Sequence, residues 1–352
     1  HEIPSQFPYR WVAALLPLCL AACAPTTSRP QVDDQLVARE RMLQNQLAVE
    51  RIFKHEERLF RVAWQVASGG RELCEQRRPG LGMLVMNRYS YGRDWADALT
   101  VAKDLGEELK VVSVAPGSPA AVGGLQVGDR LLALGGSTPR GEKASLEFGK
   151  MLATQLQGAG SVSLRVARGG VEQTLDLTAR SICGYPVRLA SNDAVNAFAD
   201  GKQVVITTGM MRFTENDQEL ALVVGHELAH NLMGHIEKQV GNRLLGTLLD
   251  AAIAIGAGVD TRGSFTQMAG LVYSKDFESE ADYVGLYMVA LSGYELTDAA
   301  NFWRRMGVEH PGSINHASTH PATPERFVAI DRTIVEIREK QRLGFDLRPE
   351  LR

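Results

Sequence analysis

The segment His226-Glu227-Leu228-Ala229-His230 constrains this chain more than any other. Around it, residues 217–235 place Leu220, Leu222, Val223, Leu228 and Leu232 at helical positions, and the stretch from Thr214 to Asp217 supplies a cap, so the segment is expected to be a helix. On a helix, residues four apart share a face, and the two imidazoles come close enough to hold one ion. Zinc suits imidazole nitrogen, and a catalytic zinc takes three protein ligands and leaves a fourth position for water. That water loses its proton near neutrality, and a glutamate beside the first histidine can take the proton and later return it to a leaving amine. With eight histidines in the chain, the pattern arises by chance about once in a hundred chains of this length. The alternative is a core helix that happens to carry histidines. A helix with two ligands still lacks a third, so a later element must pack against it.

Residues 274–282 contain a second pair at the same spacing, Glu278 and Asp282, in a segment that stays helical through Leu286 and Met288. Glu280 competes with Glu278 for the ligand role but lies two residues away, on another face, and reads as a solvated or supporting carboxylate. His235 lies five residues past His230 and, on a continuous helix, sits well round from it. His-Glu-Leu-Ala-His followed about fifty residues later by Glu-x-x-x-Asp resembles the HtpX and CAAX-prenyl-protease family of zinc metallopeptidases, a gluzincin pattern.

That resemblance implies one zinc per chain, held by His226, His230 and Glu278, with Glu227 as the general base and Asp282 orienting a zinc histidine. It also implies that Asn196, Ala197 and Phe198 belong to an edge strand along which an extended substrate lies, and that residues 204–209 form the strand before the active helix. His320, in Thr319-His320-Pro321, corresponds to a gate or extra zinc ligand; Arg326 corresponds to a group supporting the oxyanion or the fold. The family often has arginine where Lys275 stands. His310 and His316 fall in a Gly/Pro loop and read as solvated.

The near balance of 38 basic and 41 acidic residues gives no field that would gather nucleic acid, and 352 residues exceed what one core usually organises. Arg10 precedes a short apolar run that ends in Leu20-Ala21-Ala22-Cys23, which resembles the bacterial lipobox. Residues 1–22 are then a lipoprotein signal, Cys23 the lipidated anchor and residues 23–32 a tether. The alternative is an ordinary signal with a chance cysteine. Ala24 in the following position favours the outer membrane by the family's sorting rule. With Cys19 lost and Cys23 acylated, Cys74 and Cys183 remain, an even count that suits one disulfide in an oxidising compartment, against two buried free thiols.

Residues 33–78 are expected to form a long amphipathic helix laid across a core, ending near Gly69-Gly70, as part of the peptidase domain. Residues 80–180 change character: a strand at 111–114, Ser118 and Pro119 opening a helix, Gly-Asp before an apolar strand at 129–134, a helix near 143–157 and a hairpin around Gly169-Gly170. This order resembles a PDZ domain of the bacterial protease type, which binds an extended peptide at a sheet edge. Residues 244–259 are apolar but few, and contain Asp250, so a core or bilayer-leaning helix is expected in preference to a span. The fold expected is α+β: a mainly helical zincin-type core over residues 184–352 with a small sheet, plus the inserted β-rich PDZ-like unit. The function implied is a lipid-anchored periplasmic zinc endopeptidase acting on unfolded or misassembled envelope proteins. Two rivals are a latent, chaperone-like assembly factor that keeps the zinc site and a scaffold built on the PDZ-like unit.

Overall fold

The computed structural model describes residues 30–238, 275–309, 320 and 323–350. The leader with Cys23, residues 244–259, His310 and His316 lie outside the described residues. Among the described residues, no helix is long and apolar enough to cross a membrane.

Helix α1 (Asp34–Gly69) is 36 residues long. From Val49 onward it buries an apolar stripe that includes Leu59, Val62, Trp64 and Val66. Leu36, Leu43 and Leu47 are exposed.

After α1 come β1 (Arg77–Gly80), β2 (Met83–Met86), α2 (Ala96–Lys103), β3 (Lys110–Val114), α3 (Pro119–Val122), β4 (Arg130–Leu134), α4 (Ala144–Ala159), β5 (Ser161–Arg168), β6 (Val171–Thr178) and β7 (Arg180–Cys183). Strands β2 to β6 form an antiparallel five-stranded sheet in sequence order. Local chemistry sets its joints. Ser118 caps α3 by accepting from the amide of Ala121, with Pro119 in the first turn, where its missing amide costs nothing. Gly169 and Gly170 take φ of 55° and 84°, the left-handed pair that a tight hairpin between β5 and β6 requires. Inward residues Val111, Leu131, Leu134, Phe148, Leu164, Val166 and Leu177 make the core of this unit.

Strands β1 and β7 pair antiparallel, Arg77 opposite Cys183 through Gly80 opposite Arg180, so the inserted unit leaves and rejoins the chain through a two-stranded neck. The Cys74–Cys183 disulfide closes that neck, with Cα atoms 5.4 Å apart across 109 residues of chain. The insert also rests on α1. Val49 and Phe53 pack with Met86, Leu99, Leu105 and Val112, while Trp64 and Phe60 pack with Ala115 and Ile182.

The remaining elements are β8 (Val187–Ala190), β9 (Ala197–Ala199), β10 (Val204–Thr207), α5 (Thr208–Phe213), α6 (Asp217–Leu232), α7 (Lys275–Leu291), α8 (Ala299–Glu309) and α9 (Pro324–Leu343). Strand β10 is central, parallel to β8 and antiparallel to β9, which leaves β9 at the edge. The helices enclose one core that includes Ile206, Met210, Leu222, Tyr287 and Phe302 together with Leu59 and Val62 of α1. Arg58 of α1 fixes the approach to α6: it donates to Asp217 at 2.8 Å and to the carbonyls of Thr214 and Asn216 at 3.0 and 2.5 Å.

The neck bond closes a long loop, so its removal should cost roughly 3–5 kcal/mol of stability. Urea unfolding of Cys74→Ser/Cys183→Ser should show a midpoint well below the parent's; an unchanged midpoint would mean the bond constrains nothing.

Candidate metal centre

Helix α6 begins where Asn216 accepts from the amide of Glu219, while the Glu219 carboxylate accepts from the amide of Glu215. This is close to a capping box, and it fixes the helix start and so the rotation of its histidines. Two glycines bring α7 against it. A Cβ on Gly285 would lie 2.9 Å from the amide nitrogen of His226 and 3.0 Å from the carbonyl carbon of Gly225. A Cβ on Gly225 would lie 2.9 Å from the carbonyl oxygen of Gly285. The helices therefore touch backbone to backbone beside the first histidine.

That approach places Glu278 and Asp282 of α7 beside His226 and His230 of α6. The Nε2 atoms of the two histidines face each other at 3.0 Å, and the Glu278 carboxylate oxygens lie 3.5 and 3.3 Å from them. His320 brings its Nδ1 to 2.9 Å from Glu278 and 3.3 Å from His226 Nε2. His226, His230, Glu278 and His320 offer ligand atoms all within 4.8 Å of one another. His226 Nδ1 lies 2.9 Å from Asp282, so the proton sits on Nδ1 and the lone pair of Nε2 points at the cluster. Two imidazole lone pairs and a carboxylate converging in a buried space fit a divalent cation of the zinc type.

Arg326, fully buried, binds Asp282 with Nε and Nη2 at 2.5 and 2.8 Å, and its Nη1 lies 2.9 Å from Glu278. Its guanidinium lies 5.0 Å from the ring centroid of Trp303, which also packs 5.0 Å from the His226 ring. Glu227, also buried, has Oε1 3.5 Å from His320 Nε2.

Electrostatics follow from this packing. Burial pushes the Glu227 carboxyl up, the direction a general base needs. Burial acts the same way on Glu278, but His320, Arg326 and the hydrogen bonds from the two histidines outweigh it and hold the carboxyl well below its ordinary range. Burial lowers the pKa of His230 to about 3, leaving a neutral imidazole. Burial opposes charge on His226 too, yet the bonds to Asp282 and Glu278 overcome it and raise its pKa to about 9.

Asn196, Ala197 and Phe198 lie at the sheet edge, with Ala197 and Phe198 in β9 and Asn196 just before it, its carbonyl accepting from Thr207 Oγ1 at 2.8 Å. Two residues escape sequence reasoning. Trp303 has no sequence signal. His235 does: α6 ends at Leu232, not at 235 as expected, and Gly234 at φ 62° turns the chain back. The turn brings His235 Nδ1 within 2.9 Å of His230 Nδ1, with its Nε2 2.7 Å from Glu280.

Two imidazoles and a carboxylate on crossed helices beside a small sheet are the donor set that a zincin-type metallopeptidase uses. Residues 171–334 match the model of Peptidase family M48, and residues 110–168 match that of the PDZ domain. Residues 171–334 are thus similar to a peptidase family that uses zinc, and the region similar to a PDZ domain precedes them in the chain. The M48 match starts at Val171, inside β6, a strand whose pairing belongs to the PDZ sheet. Mitochondrial metalloendopeptidase OMA1 of Arabidopsis thaliana is 27% identical over 145 residues, 40% of this chain and 30% of its own length. Human metalloendopeptidase OMA1 is 25% identical over 191 residues, 48% of this chain and 36% of its own. The Beta-barrel assembly-enhancing protease of Yersinia pestis is 28% identical over 134 residues, 34% of this chain and 27% of its own. The chain thus spans about a third of the length of these relatives. A crystal structure of the HtrA3 PDZ domain bound to a phage-derived ligand aligns with 31% of this chain and 93% of that one, at TM-score 0.25 and 20% identity.

Because the helix crossing has no room for a methyl group, Gly285→Ala should separate α6 from α7, at a cost of about 1–3 kcal/mol. Zinc stoichiometry measured on the folded variant should drop below that of the parent; full zinc retention would show that the crossing tolerates displacement.

Proposed function

We propose that this protein is a zinc-dependent endopeptidase, anchored by lipid at Cys23 to the outer membrane and facing the periplasm, that cuts unfolded or misassembled envelope proteins. The observation that carries the reading is the buried convergence of His226, His230 and Glu278 with Glu227 beside them. Zinc bound there supplies a Lewis acid that polarises a peptide carbonyl and lowers the pKa of water. Glu227, its carboxyl raised by burial, takes the proton of the attacking water and passes it to the leaving amine. Asp282 and Arg326 hold His226 and Glu278 in place, so Arg326 is a positioning residue for the ligands, since its guanidinium is engaged by two carboxylates. The edge strand β9 gives an extended substrate a backbone to pair with. The names of the bacterial relatives, the disulfide and the lipobox-like Leu20-Ala21-Ala22-Cys23 support the envelope assignment, and the PDZ domain supports a role in engaging protein chains.

One observation favours a second reading, in which the protease is latent. His320 lies among the metal ligands at hydrogen-bond distance from Glu278, where a fourth ligand would compete with water.

Two substitutions test these readings on residues 24–352. Glu227→Gln should keep one zinc per chain and lose cleavage of an unfolded protein by about a hundredfold or more; cleavage at the parent's rate would remove Glu227 from its role. His320→Ala should raise cleavage several-fold if the protease is latent, and a fall would make His320 a working part of the open site.

A further inference from the structure

Behind the metal cluster lies a second pair of groups that the peptidase reading does not use. His235 is fully buried, and its ring stacks on Phe277 with centroids 4.5 Å apart and planes 17° apart. Its Nδ1 is 2.9 Å from His230 Nδ1, and its Nε2 is 2.7 Å from Glu280 Oε2. The Glu280 side chain is 37% exposed.

Proton positions along this row follow from chemistry. A carboxylate only accepts, so His235 Nε2 carries a proton and donates it to Glu280. A neutral His235 then has a lone pair on Nδ1, which accepts the Nδ1 proton of His230. His230 in turn has its lone pair on Nε2, the atom that faces His226 and Glu278. The row therefore selects for His230 the same tautomer that Asp282 selects for His226 through a direct bond. One ligand is aimed by a buried carboxylate in contact with it, the other by a half-exposed carboxylate acting through an intervening imidazole.

We infer that His235 and Glu280 are positioning residues for the metal: through His235, Glu280 fixes the tautomer and ring orientation of His230 and so raises its affinity for zinc. The inference rests on the zinc-site reading above. Groups that orient ligating histidines typically change metal affinity by about 10–100-fold when removed.

The test is zinc affinity by chelator competition on the full chain, with the visible spectrum of the cobalt-substituted protein as a second readout. His235→Phe keeps an aromatic ring on Phe277 but removes the relay, and should weaken zinc binding about 10–100-fold at unchanged stoichiometry, with altered cobalt bands. Glu280→Ala, on the exposed side, should weaken it several-fold. In the His235→Phe background Glu280→Ala should add nothing, because its effect passes only through His235. His235→Gln, whose amide oxygen can accept from His230, should recover part of the loss. Zinc affinity within twofold of the parent in both His235→Phe and Glu280→Ala overturns the inference, as do additive effects in the double variant. If His235→Phe fails to fold, Glu280→Ala and the His235→Gln comparison decide. A parent that binds no zinc overturns the site itself and the inference with it.

Discussion

Helices α6 and α7 come backbone to backbone at Gly225 and Gly285, with Val289 Cγ2 packed against Gly225, and the convergence of His226, His230 and Glu278 depends on that contact. His226 follows Gly225 directly, and Asp282 and Glu278 precede Gly285 by one and two turns. Backbone contact at the glycines thus sets how far the carboxylates stand from the imidazoles. A methyl group on either glycine would crowd the two helices that carry His226, His230 and Glu278, so small residues here serve geometry at the expense of helix propensity.

The centre gathers charges that would be costly to bury singly. Glu278, Asp282 and Arg326 are each almost inaccessible to water, and so are both histidines. They are tolerated because each is paired: Arg326 spans two carboxylates, Asp282 also holds His226, and Glu278 meets both histidines and His320. Removing one partner would leave another buried and unpaired, which costs several kcal/mol in such networks. The row from Glu280 through His235 to His230 extends the same pairing towards the surface.

The PDZ domain is joined to the peptidase in three ways: the β1–β7 neck, the disulfide across it, and the packing on α1. Helix α1 also holds the entrance to α6 through Arg58. One helix thus touches both the five-stranded unit and the segment that starts α6, which gives a physical link between the two.

The sequence alone determined the helix that carries His226 and His230, the carboxylate pair fifty residues later and the main strand and cap positions of the inserted unit, because each is written in local spacing or in turn chemistry; the cysteine count suited one disulfide, and the structure joins Cys74 to Cys183. The sequence also pointed to β9 and β10 through their resemblance to a known family. The family resemblance named His320 and Arg326 as well, but only the tertiary structure decided what they touch and brought in Trp303, because no periodicity says which face of α8 or α9 meets α6. His235 stays outside the group of candidate ligands, as its spacing implied, but a continuous helix would carry it away from His230, whereas Gly234 in the left-handed region ends the helix and brings its ring to the Nδ1 side of that histidine. Spacing fixes direction only while the helix lasts, and where it ends is settled by packing around its last turn.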